Sequence, residues 1–173
     1  DLRTAAQGPF HTLLAAIGEG LHTADRRTIA ASFALRYAWS SGIAIAPYFF
    51  YQCVPKISLD NVSFKFRANT SFERAAVHRP EGVMLQREGV AEHPCIHLLS
   101  SPKALVSWLR DSLVQQAEPI VAALYDWSHF SVRGSWGLIT SSWGSQFFNV
   151  FREIDAQERG LPHVREFFGG SDV

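Results

Sequence analysis

The chain has 173 residues, 47% apolar and 18% charged, enough to bury a core within the ordinary size of one domain. Its 16 basic and 16 acidic residues cancel, so the excess positive field that holds nucleic acid or an anionic membrane surface is missing. The 2 cysteines, Cys53 and Cys95, form no CxxC pair, which argues against a disulfide framework or a zinc ribbon and for a reducing compartment.

No basic segment followed by an apolar run opens the chain, so no secretory leader is expected, and a start at Asp1 rather than Met fits a fragment or a processed chain. The first predicted element is a short helix from Pro9 to Ile17, opened by a proline that the first helical position tolerates and stopped by Gly18-Glu19-Gly20. Asp25 is placed to cap the next helix. Its apolar positions Ile29, Phe33, Leu35, Tyr37, Trp39, Ile43 and Ile45 crowd most of the circumference, which predicts a largely buried helix. Pro47 predicts a kink or break before Tyr48-Phe49-Phe50-Tyr51, giving two helices in tandem, and Pro55 closes the run. The apolar stretch from Ile43 to Val54 is shorter than the roughly 20 residues of a membrane span and contains Gln52.

From Val62 the pattern changes to a period of two, with Phe64 and Phe66 alternating with Ser63, Lys65 and Arg67, as in a half-buried strand. Phe72–Val77 and Val83–Gln86 are the expected partners, with His78-Arg79-Pro80-Glu81-Gly82 as the turn between them, and a further strand is expected within His93–Leu99. Ser101-Pro102 opens a long helix carrying Leu105, Trp108, Leu109, Leu113, Val114 and Ala117 at helical spacing, kinked or split at Pro119. A loop at Ser128–Ser131 leads to a second long helix over Val132–Glu158, and a short helix near Pro162–Phe168 ends the chain. The fold class read from this pattern is α+β and mainly helical, a helical body with a small antiparallel sheet inserted in its middle. It forms a single domain over 1–173, with helices in 1–55, the sheet region in 56–100 and helices again in 101–173.

Two local patterns carry possible chemistry. In His93-Pro94-Cys95-Ile96-His97, strand alternation points His93, Cys95 and His97 to one face, a set suited to zinc or copper; the alternative is a packed Cys95 with solvated histidines. Around the entrance of the last long helix, His129, Arg133 and Trp136 bring together imidazole, guanidinium and indole, groups that suit a ligand with oxygens and flat apolar parts. Trp136, Ile139, Trp143, Phe147 and Val150 also recur at three- or four-residue spacing, which a core stripe explains as well. No G-x-S-x-G, P-loop or complete dinucleotide fingerprint is present.

Ser32–Pro47 (SFALRYAWSSGIAIAP), the strand at Val62–Arg67 and Arg133-Gly134-Ser135-Trp136-Gly137-Leu138 together resemble the FhuF-like ferric-siderophore reductase family in order and spacing over most of the chain. The siderophore-synthetase C-terminal domain shares the general pattern. The resemblance implies a cytoplasmic protein that takes a ferric hydroxamate-type siderophore as substrate, an electron-donor protein as partner, and one-electron reduction through a [2Fe-2S] cluster. The reductases hold that cluster with a C-C-x10-C-x2-C pattern near the C-terminus, and this sequence lacks those cysteines; Phe167 to Val173 falls about where the segment begins in the family. For the siderophore pocket, the residues singled out are Arg36, Trp39, Tyr48, His129, Arg133 and Trp136. A synthetase-type domain and a non-catalytic protein-binding module are the competing readings.

Overall fold

A computed structural model describes residues 7–67, 72–89, 93–153 and 166–169. The architecture is α+β and mainly helical, with two small sheets between an N-terminal and a C-terminal group of helices. Among the described residues, no helix is long and apolar enough to cross a membrane.

Helix α1 spans Gln7–Gly20 and runs through the glycines expected to stop it. Gly18 is there for packing: a Cβ at this position would lie 2.7 Å from the Ile29 side chain of the next helix. Helix α2 spans Arg26–Ser40 and is capped by Asp25, whose carboxylate accepts hydrogen bonds from the Arg27 and Thr28 amides at 3.3 and 3.0 Å. The buried side of α2 is formed by Ile29, Phe33 and Tyr37 together with the small residues Ala30, Ala34 and Ala38. The helix is less buried than its apolar crowding predicts, since Leu35 and Trp39 lie on an open face, 45% and 51% exposed.

The break between the tandem helices falls upstream of the proline expected to cause it. A 3-10 turn at Ser41–Ile43 ends α2, and α3 spans Ile45–Tyr51 with Pro47 as its third residue, where an amide has no helical partner to lose. The position of the break is set from across the molecule. Gln146 donates from Nε2 to the Ala38 carbonyl at 2.6 Å, and a Cβ on Gly42 would lie 1.7 Å from the Gln146 Oε1 atom. Helix α3 ends at Gln52 in the left-handed region, and Pro55, expected to close the helical run, is instead the last residue of strand β1 (Cys53–Pro55).

Strands β2 (Val62–Phe66) and β3 (Phe72–Val77) form the expected antiparallel hairpin, with an irregularity between Lys65 and Phe66. Strand β4 (Gly82–Leu85) does not join it. It pairs antiparallel with β1 and parallel with β5 (Ile96–Leu99), so there are two sheets rather than one, and the three-stranded one is mixed rather than antiparallel. The cause is polar and long-range. Asn61, fully buried, donates to the carbonyls of Lys56 and Arg79 and accepts from the Arg79 amide, while the Lys56 amide donates to the Glu81 carbonyl. These bonds lead the chain after β3 back beside β1 instead of folding it onto β3.

Helix α4 spans Pro102–Ser128 without a break, about 40 Å at the usual helical rise. Pro119 does not split it. Pro119 and Gln115 are exposed, so the carbonyl that loses its helical partner faces water. Its buried stripe is Leu105, Leu109, Leu113, Gln116, Ala117, Val121 and Leu124, whereas Trp108 and Val114 are exposed. Helix α5 spans Val132–Glu153; the expected continuation to Glu158 lies outside the described residues, as does most of the expected C-terminal helix, of which 166–169 is helical.

Helix α2 is the central element. It packs most extensively on α5, meets α1 and α4, and carries the hairpin through Phe33 against Phe66 and Tyr37 against Phe64, with ring centroids 6.3 and 6.0 Å apart. Arg26 donates to the Trp127 carbonyl at the end of α4, and Gln146 in the second half of α5 binds Ala38, so α2 and α5 run in the same direction and α4 runs against them.

Candidate functional site

This helix arrangement divides the residues singled out for a siderophore pocket into two groups. Arg36 and Trp39 lie near the C-terminal end of α2, close in sequence to α3 and Tyr48. His129, Arg133 and Trp136 lie where α4 ends and α5 begins. About ten residues of α5 separate the two levels, roughly 15 Å along a helix axis, so they do not form one pocket.

At the first end, aromatic rings converge. Tyr48 meets Phe49 edge-on at 4.8 Å, Phe49 meets Phe147 at 5.3 Å, and Phe147 meets Phe167 at 4.8 Å and Phe168 at 6.1 Å. Trp143 closes the group against Phe167 at 6.4 Å. Edge and tilted contacts of this kind contribute attraction beyond area burial. The inner members, Trp143, Phe147 and Phe167, are buried, which makes the lower part of the α5 stripe core. Tyr48 is also only 5% exposed, and burial first, then the Glu166 carboxylate, pushes its hydroxyl well above the usual tyrosine range. It is therefore a support for this end rather than a ligand-facing group. Phe168 and, on the elements that meet at this end, Trp39, Phe50, Tyr51 and Phe148 are 43 to 65% exposed. Phe50, Phe148 and Phe168 have no local sequence signal as site residues, since the end of the molecule they share is built by the packing of Phe49 on Phe147, nearly a hundred positions apart.

The opposite end is cationic and imidazole-rich. The Arg26 guanidinium lies over the Trp127 ring, 5.3 Å from its centroid, and His11 approaches the same ring at 6.5 Å. His129 closes α4 in a left-handed conformation and packs on Tyr125, Arg133 is exposed on the first turn of α5, and Trp136 is half-buried against Trp143. Ser131 caps α5 by accepting from the Gly134 amide at 2.9 Å.

The His93–His97 segment is not a continuous strand. His93 to Ile96 forms a turn closed by the Ile96 amide donating to the His93 carbonyl, and the Cys95 amide donates to His93 Nδ1 at 3.2 Å. The alternation that would turn His93, Cys95 and His97 to one face is lost because Pro94 starts the turn. Among the described residues, no three His, Cys, Asp or Glu side chains are grouped to hold a metal ion.

The two thiols do not fit a [2Fe-2S] cluster. Cys53 is on β1, opposite Met84, and Cys95 precedes β5, its carbonyl bound by the Gly82 amide, so strand β4 separates them. Two strand spacings amount to about 10 Å, too far for a disulfide, and two thiols are at most half of the four thiolates such a cluster takes. Burial pushes the Cys53 thiol up, further from the thiolate that binds iron.

No family model matches this chain, and no curated protein or solved structure is similar to it.

Proposed function

We propose that this chain is a FhuF-like protein of the cytoplasm that binds a ferric hydroxamate-type siderophore as its substrate. The supporting observation is the open aromatic surface at the α2–α3–α5 end, where Trp39, Phe50, Tyr51, Phe148 and Phe168 stay exposed next to Arg36. Rings left in water at this density mark a surface that meets another molecule. A ferric trihydroxamate is roughly neutral and partly apolar, so ring contact and a few directed donors suit it better than a strongly charged cleft does. Release of iron by one-electron reduction, the activity implied by the resemblance, requires a redox group that Cys53 and Cys95 do not hold, and no step is assigned to it here.

The test is titration of the protein with ferrioxamine B, followed by quenching of tryptophan fluorescence. Saturable binding that weakens at least tenfold in Trp39→Ala and Phe168→Ala, but is unchanged in Arg133→Ala and Trp136→Ala, supports the reading and its location. The reverse pattern moves the site to the cationic end. No saturable quenching by folded protein removes the siderophore reading. A second reading, a protein-docking module, is favoured by the same rings because they spread over an open surface; it predicts a stable complex with a protein partner in size-exclusion chromatography and no siderophore binding.

A further inference from the structure

A half-open cleft of about 400 Å3 lies between the first turns of α4 and the β4–β5 pair. Its volume is within the range of small-molecule sites. Val83, Ile96 and Trp108 supply apolar lining, and Trp108 is 40% exposed. Lys56 and Glu81 also line it, with ammonium and carboxylate 2.8 Å apart. We propose that this cleft binds a small, flat, uncharged heterocycle whose edge carries a hydrogen-bond donor beside an acceptor, as a lactam or a nucleobase does.

The indole accounts for the flat shape, because a partly exposed aromatic ring in the lining offers a face on which a flat ring stacks. The ion pair accounts for the neutral edge. Glu81 is held by Lys56 and also by Arg79 Nε at 3.4 Å, and Arg79 in turn binds Asp60 at 2.5 Å, so the charges alternate and balance along the chain of contacts. An anionic ligand meets the Glu81 carboxylate beside the Lys56 ammonium, and a cationic one meets the ammonium beside the carboxylate, so the pair favours neither sign. A neutral donor–acceptor edge displaces neither group: the ammonium keeps further protons to donate, and the carboxylate keeps further lone pairs to accept. Backbone bonds fix the strand side of the cleft, since the Lys56 amide donates to the Glu81 carbonyl and the Gly82 amide to the Cys95 carbonyl. This inference does not depend on the siderophore reading.

Cys95 and His97 also line the cleft, which gives a readout independent of any activity. The whole chain is treated with iodoacetamide, and alkylation of Cys95 is followed by mass spectrometry, with Cys53 on β1 as an internal control. Nicotinamide and hypoxanthine are the neutral probes, and nicotinate is an anion of nearly the same shape as nicotinamide. The expected result is slower alkylation of Cys95 by the factor 1 + [probe]/Kd, about threefold at twice the Kd, with no change at Cys53 and little effect of nicotinate. Trp108→Ala abolishes the protection; Trp108→Leu, which keeps an apolar cover without a flat face, weakens it and serves if the alanine variant does not fold. Nicotinate protecting as well as nicotinamide overturns the neutral class. Absence of protection up to the solubility limits, or full protection in both Trp108 variants, overturns the site.

Discussion

The contact between α2 and α5 and the corner around Asn61 are held by different means. Between the helices, the alanines of α2 bring the backbones close while Phe33, Tyr37, Trp143 and Phe147 fill the space, and one side chain, Gln146, fixes the lengthwise position. At the corner, where Ile57 and Val62 are buried beside Asn61, directed bonds from one amide side chain decide where three strands go. The first kind of contact tolerates changes of shape that preserve volume, and fails through cavities. The second tolerates changes of volume, and fails when a single donor or acceptor is lost.

The sharpest way to break this contrast is at Phe147. Phe147→Ala removes the ring shared by Phe49, Phe167 and Phe168 and is expected to cost about 3–5 kcal/mol in urea unfolding. A loss below about 1 kcal/mol would mean that this aromatic group contributes little to the core. Asn61→Ala leaves two carbonyls and one amide without their partner and is expected to cost about 2–3 kcal/mol. Hydrogen exchange should then quicken in β1, β2 and β4 and remain slow in α2 and α5; uniform acceleration would refute a locally acting corner.

Gly42→Ala tests the polar key that Gln146 provides in the helical contact. It is expected to cost about 1–3 kcal/mol by overpacking against Gln146. The double variant with Gln146→Ala should recover part of that loss, a coupling of about 0.5–3 kcal/mol in a mutant cycle, and strict additivity would exclude the contact. The smallest effect is expected at Asp25. The Thr28 hydroxyl first, then the Thr28 amide, hold this carboxyl below its ordinary value of 3.8, so its contribution is fully present above that value and is lost as the pH falls through the lower folded value. The Tm difference between the protein and Asp25→Ala should therefore be constant from neutral to mildly acidic pH and narrow only below 3.8.

The same contrast explains which features could be read from the sequence. Helix existence, the Asp25 cap, the start at Ser101-Pro102 and the β2–β3 alternation depend on neighbours within a few residues, and all are found. The break after Ser40 depends on Gln146, and the course of β4 depends on Asn61, so neither has a local signal. Periodicity identified apolar positions but did not decide which of them face solvent, and Leu35, Trp39 and Trp108 proved exposed. The candidate pocket residues were gathered by chemical type, and the lengthwise direction of α2 relative to α5 then placed them at opposite ends.

That direction has an electrical consequence. Two helices running the same way bring two positive N-terminal poles to one end of the body, with the negative pole of α4 between them. The last turn of α4 contains no basic residue. Arg26, the first residue of α2, supplies that charge by donating to the Trp127 carbonyl and lying on the Trp127 ring. By sequence it opens one helix at the pole where a cation is least welcome, yet by position it neutralises the terminus of another.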